Sequence, residues 1–179
     1  MAQSRTQAVV IPVYKEYLDV LTRRPNDLTT MIWGWQGNSK PMAAPGRLLR
    51  KQGTVPFLFR PVESTGHVTH VAISGLIVHS GSPAHRKIAQ WLHDRRVEGF
   101  AGRKNWNDDV RSFYVVTAAL ELPAPIPFQD LTLVSENRPL DPGMVRGYAT
   151  VFMPGPMATW YDAAVRTWGA CALPSVARS

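Results

Sequence analysis

The stretch HVTHVAISGLIVHS, residues 67–80, decides the reading of the fold. Its β-branched and aliphatic residues read as one long strand, and Gly75 inside it marks a bulge or a sharp bend. Bent strands of this kind suit small barrels, so the sequence predicts a curved sheet.

Working outward, STGH (64–67) has turn chemistry and links this strand back to TVPFLFRPV (54–62), another strand. On the other side, SGSPAHRKIAQWLHDRR (80–96) opens with Ser82 as N-cap and Pro83 at the first helical position. Ala84, Ile88, Trp91 and Leu92 then fall on one face, which makes this the clearest helix in the chain. EGFAGRKNWNDD (98–109) is a polar, glycine-bearing loop. VRSFYVVTAALEL (110–122) reads as a strand that ends at the series Pro123, Pro125 and Pro127.

Towards the amino terminus, AVVIPV (8–13) reads as a strand, and Tyr14, Tyr17, Leu18 and Leu21 recur at helical spacing until RRPND (23–27) stops the helix. TMIWGW (30–35) is strand-like. In NSKPMAAPGRLLRKQG (38–53), Pro41, Pro45 and the terminal Gly53 predict at most a short or broken helix. RGYATVFM (146–153) supplies a last strand, and Met157, Trp160, Ala164 and Trp168 mark a closing helix packed on the sheet. The tail ALPSVARS (172–179) reads as frayed. Five or six strands interrupted by helices, with no internal repeat, describe an α+β fold around a small curved, open six-stranded barrel. Residues 1–155 form the domain, and 156–179 are a helix and tail packed on it.

Composition narrows the function. At 179 residues the chain can bury about two thirds of its unfolded surface without a metal or disulfide. Cys171 is the only cysteine, which excludes disulfide scaffolds and multi-thiolate zinc sites and fits a reducing cytoplasm. No window approaches the roughly 20 apolar residues of a membrane span, and the first residues lack a signal peptide's hydrophobic core, so a soluble, cytoplasmic protein is expected. Lysine and arginine outnumber acids by 20 to 13, a net charge of +7 that favours polyanions.

Several chemistries are absent. His67 and His70, three apart in a strand, point to opposite faces and cannot share an ion, so no metal is expected. There is no phosphate-cradling GxxxxGK[ST], no GxGxxG and no GxSxG elbow, and no cofactor is implied. Asp108 and Asp109 lie together in NWNDDVRSF (105–113), and with Glu121 and magnesium they define an alternative reading as a nuclease or base-processing enzyme. Arg86, Lys87, Arg95, Arg96, Arg103 and Lys104 gather near Trp91 and Trp106, and cations beside aromatics suit phosphate contact with base stacking. Trp91 shares its stripe with Ile88 and Leu92, so a core role competes with ligand contact there, whereas Trp106 stands in a polar loop. A bland alternative has every tryptophan in the core and the charge serving solubility.

The order IWGWQGNSK (32–40), VPFLFRPVESTGHVTHVAISGLI (55–77), GSPAH (81–85) with QW (90–91), NWNDDVRSFYVV (105–116) and ENRPL (136–140) resembles the YTH domains and, more loosely, the EVE domains of the PUA-like superfamily, over about residues 8–153. The resemblance implies a non-enzymatic reader that encloses a modified base, N6-methyladenine or a modified cytosine, in an aromatic cage on RNA or DNA. It also implies a separate effector such as a nuclease. Trp33 matches the cage tryptophan after the second strand, Gly34 the residue whose carbonyl accepts the amine's hydrogen, and Trp106 the cage tryptophan before DVR. Trp91 matches another wall, and Trp35 replaces the family's small or polar residue, extending the cage or substituting for Trp91. Tyr17, Asp19 and Asn26 compete for the base edge, and Asn38, Ser39 and Lys40 correspond to the family's donor-bearing GN element. Lys40, Arg86, Lys87, Arg95, Arg103 and Lys104 are the expected phosphate contacts.

Overall fold

The computed structural model describes residues 5–33, 40–64, 66–97, 112–143 and 148–175, with only the backbone at 33 and 40–42. Among these, six strands form one mixed sheet and four helices cover it. The elements are β1 (Gln7–Val13), α1 (Lys15–Arg23), β2 (Thr29–Trp33), α2 (Lys40–Gln52), β3 (Val55–Pro61), β4 (His67–His79), α3 (Pro83–Asp94), β5 (Ser112–Pro127), β6 (Ala149–Phe152) and α4 (Ala158–Gly169). The sheet order is β2-β5-β4-β3-β1-β6, with β1 parallel to β3 and every other neighbour antiparallel.

Strand alternation sorts the core into two faces. Val9, Ile11, Phe57, Phe59, Ala72, Tyr114 and Val116 pack beneath Tyr17, Leu18, Leu21 and Leu48, so α1 and α2 cover one face. On the other face, Phe113, Val115 and Val78 meet Ile88 and Leu92 of α3, while Val10, Leu58 and Val71 share a cluster with Met157 and Trp160 at the start of α4. The expected stripe of α4 therefore does pack on the sheet, against β4 and β5. Leu173, in the tail expected to fray, packs against the α3 cluster.

The α+β class and the six strands are as expected, and the sheet is not closed. Both edges are taken by connecting segments, which removes the unpaired edges that would drive closure. Thr30 of β2 accepts from Val97 and donates to Arg95, at 3.1 and 2.7 Å. Beside β6, Phe152 donates to Thr132 at 2.9 Å and Val134 to Thr150 at 3.0 Å. Curvature enters through three register shifts between β4 and β5. One lies at Gly75, as anticipated; a Cβ there would overlap the indole of Trp168, so α4 closes over the strand only because that position has no side chain. Another falls at Ala118, which takes φ +53° and accepts from Trp160 Nε1 at 3.3 Å.

Two expectations drawn from proline are corrected. α2 is an unbroken helix of 13 residues despite Pro41 and Pro45. Pro41 lies in the first turn, where an N–H has no partner to lose, and Pro45 gives up one hydrogen bond near the same end. Burial of Ala44, Pro45 and Leu48 offsets that loss, and Gly53, at φ +77°, ends the helix by donating to Leu49 at 2.8 Å. β5 likewise continues through Pro123 and Pro125 to Pro127. Beyond Val116 it has lost β2 as a neighbour, and Pro123 and Pro125 fall in the register shift between Glu121 and Ile126, where no ladder pairing with β4 needs their N–H groups.

Candidate nucleic-acid interface

Trp33 ends β2 and pairs with Ser112, the first residue of β5. The segment Arg95–Val97 runs parallel to β2 through its bridge at Thr30. The chain therefore leaves the sheet at residue 33 and at Val97 heading for one end, and re-enters at Ser112 at that same end. Gly34, Trp35, Asn38, Arg103, Lys104, Trp106, Asp108 and Asp109 lie outside the described residues.

Ser112 is fully buried, and its hydroxyl is 2.7 Å from His79 Nδ1. Next to it, Phe113 stacks on His85 with centroids 4.9 Å apart, and His93 approaches edge-on at 6.3 Å. Gly81 donates its N–H to His85 Nδ1 at 3.2 Å, which assigns the His85 proton to Nε2. Burial, reinforced by Arg86, lowers the pKa of His85, and burial, then Arg96, lowers that of His93. These imidazoles are therefore neutral near pH 7 and act as flat packing groups. Sequence reasoning did not find this cluster because its members lie in β4, α3 and β5 and share no short motif.

The remaining expected site residues scatter. Trp91 is half-buried, packed against the cluster of Ile88, Leu92 and Phe113, and Arg95 sits over its ring at 4.3 Å. A base could use that ring face only by displacing Arg95, so the packing favours the core role. Arg95 also donates to the Trp91 carbonyl at 3.4 Å. Arg86 is exposed and donates to Gly81 O at 2.7 Å, Lys87 is exposed, and Lys40 is the first residue of α2.

The base-edge candidates separate from Trp33. Tyr17 is only 2% exposed within the core, because α1 turns that side of its stripe onto the sheet. Asp19 pairs with Lys15 at 3.1 Å, and both charges act on His70, which is paired in register with Glu121. That is the far half of β5 from Ser112. Asn26 precedes β2 and so lies at the opposite end of that strand from Trp33, about 13 Å away along β2 at ~3.3 Å per residue. It joins Asp27, Leu28, Asp94, Arg95, Thr167 and Cys171 around an open groove of about 850 Å³. Cys171 is held there as a thiol: burial pushes its pKa up, and its Sγ donates to Thr167 O at 3.3 Å.

Of the acids of the enzymatic alternative, Glu121 alone is among the described residues. Glu121 is exposed and lies nine residues along β5 from Ser112, beyond the bulge at Ala118. Asp108 and Asp109 lie outside the described residues. His67 is exposed and His70 buried, as their spacing requires of opposite faces. Among the described residues no three His, Cys, Asp or Glu side chains gather as a metal site, and no helix is long and apolar enough to cross a membrane.

A second set of cations was missed. Arg47, Arg50 and Lys51 are all exposed on α2, whose 13 residues include no acid. The signal was present in PGRLLRKQG (45–53), but an expected broken helix hid its common face. No protein-family model and no curated protein matches the chain.

Proposed function

We propose that the protein is a non-enzymatic nucleic-acid-binding module that receives a modified base between Trp33 and Trp106, on a curved, partly open barrel of the PUA-like, YTH or EVE type. One observation carries this reading: the backbone pairing of Trp33 with Ser112 brings to one end of the sheet the points where stretches 34–39 and 98–111 leave and rejoin it. Those are the stretches that hold Trp35 and Trp106. An N-methylated base is flat, weakly hydrated and polarised, which is what facing indoles accept. The charge of +7 and the exposed cations of α2 and α3 supply attraction for the phosphates. Such a module works in a reducing cytoplasm with a separate effector, for example a nuclease directed to modified sites.

The test is binding of short fluorescent oligonucleotides carrying N6-methyladenine, 5-methylcytosine, 5-hydroxymethylcytosine or no modification, as RNA and as DNA, at two salt concentrations. Stacking contributes about 1 to 3 kcal/mol per base, so Trp33→Ala should lower affinity for the preferred ligand about 5- to 150-fold and remove the preference. Lys87→Gln should weaken modified and unmodified ligands alike. Equal loss for both ligands in Trp33→Ala would refute the cage.

A further inference from the structure

We infer that the exposed face of α2 is a docking surface for the phosphate backbone of a single-stranded nucleic acid. The inference rests on the base-reading proposal for the kind of partner and adds the element that holds it. α2 turns Ala44, Pro45 and Leu48 towards the sheet and presents Arg47, Arg50 and Lys51 to solvent. At 100° per residue these three cations fall within about 100° of one another, and at 1.5 Å per residue Arg47 and Lys51 are about 6 Å apart along the axis.

The other helices carry their own counter-charges. α1 pairs Lys15 with Asp19, α3 has Asp94, and α4 has Asp162 near Arg166. On α2 there is no carboxylate, and none of the described residues forms an ion pair with Arg47, Arg50 or Lys51. The helix dipole accounts for cations in the last turn, at Arg50 and Lys51, but not for Arg47 or for the lack of any acid. A face of cations with no ion-pair partner among the described residues is complementary to a polyanion.

Two further features favour a nucleic acid. The exposed stripe of Ala43, Arg47, Arg50 and Lys51 has no large apolar side chain to insert among lipid chains, which separates it from membrane-binding helices. α2 also begins only seven residues after Trp33, so a strand whose base is held there can pass its phosphates along the helix. The platform is rigid: Gln52 at the end of α2 accepts from Gln7 N at 2.8 Å and donates to Gln7 O at 3.1 Å, tying the helix to β1.

The experiment compares the wild type with the triple variant Arg47→Gln, Arg50→Gln, Lys51→Gln, and with a control that exchanges the cations (Arg47→Lys, Arg50→Lys, Lys51→Arg). The ligands are the modified and unmodified oligonucleotides above, from 50 to 300 mM salt, with vesicles containing phosphatidylserine as a separate arm. At about 0.7 per phosphate contact, losing three contacts should reduce the slope of log K against log salt by about 2. Affinity should fall about tenfold to a hundredfold for both ligands while any preference between them persists, and the control should bind as the wild type does. Unchanged slope and affinity with intact discrimination would overturn the role of α2 alone. Loss of α2-dependent, salt-sensitive binding without any base preference in the wild type would leave α2 standing and overturn the base-reading proposal. Failure of the wild type to bind any oligonucleotide, or tighter binding to vesicles, overturns both.

Discussion

Replacing Gly75 by alanine should destabilise the protein, although alanine is ordinarily the better residue inside a strand. Gly75 has ordinary backbone geometry, so the new methyl group by itself should gain about 0.5 to 1 kcal/mol over glycine. Its Cβ, however, would occupy the space of the Trp168 ring, near Cε2, Nε1 and Cζ2. Overpacking costs about 1 to 3 kcal/mol, and turning Trp168 out of its half-buried seat would cost about 2 kcal/mol of lost burial. The expected net loss is about 1 to 2 kcal/mol. In a Trp168→Ala background the obstacle is gone, and Gly75→Ala should become neutral or stabilising by up to about 1 kcal/mol. Urea denaturation of the four proteins therefore should give a coupling energy near 2 kcal/mol. Equal effects of Gly75→Ala in both backgrounds would refute the close approach of α4 to the bulge.

Other outcomes follow from local chemistry. Ser82→Ala removes the acceptor of the His85 N–H at 3.1 Å and should cost about 1 kcal/mol in urea denaturation, whereas Ser82→Asp should retain most of it. Burial lowers the pKa of His70, His85 and His93 below the ordinary 6.5, so the unfolded chain takes up protons first as pH falls. Stability should thus be complete above about pH 6.5 and decline on acidification from there; a urea midpoint that stays constant from pH 7.5 to 5.0 would contradict it. Arg95→Gln removes the cation over the Trp91 ring and should shift tryptophan emission and cost about 0.5 to 1 kcal/mol, with no change if the contact does not form in solution.

Much of the fold was legible because its signals are local. Ser82 and Pro83 announce the start of α3 through capping and a preset φ, and Met157, Trp160, Ala164 and Trp168 disclose the buried stripe of α4 by period alone. Where two prolines argued against α2, the deciding quantity was burial against three strands, two of them, β1 and β4, distant in sequence. Trp91 illustrates the same limit at the site: its stripe with Ile88 and Leu92 makes a core role at least as open as ligand contact, and the packed cluster and the guanidinium of Arg95 favour the core role.

By itself, then, the sequence determined the α+β class, the bulge at Gly75, the basic charge, the end of α1 and the start of α3, since each depends on residues within a turn or a strand of one another. The tertiary structure decided how the edges of the open sheet are covered, because the residues that pair with Thr30 and Thr150 come from other parts of the chain. It also decided that α2 is one helix, so that Arg47, Arg50 and Lys51 share an exposed face with no ion-pair partner among the described residues. The covering of a helix face and the occupancy of an edge are set by how remote segments pack, and no local pattern encodes them.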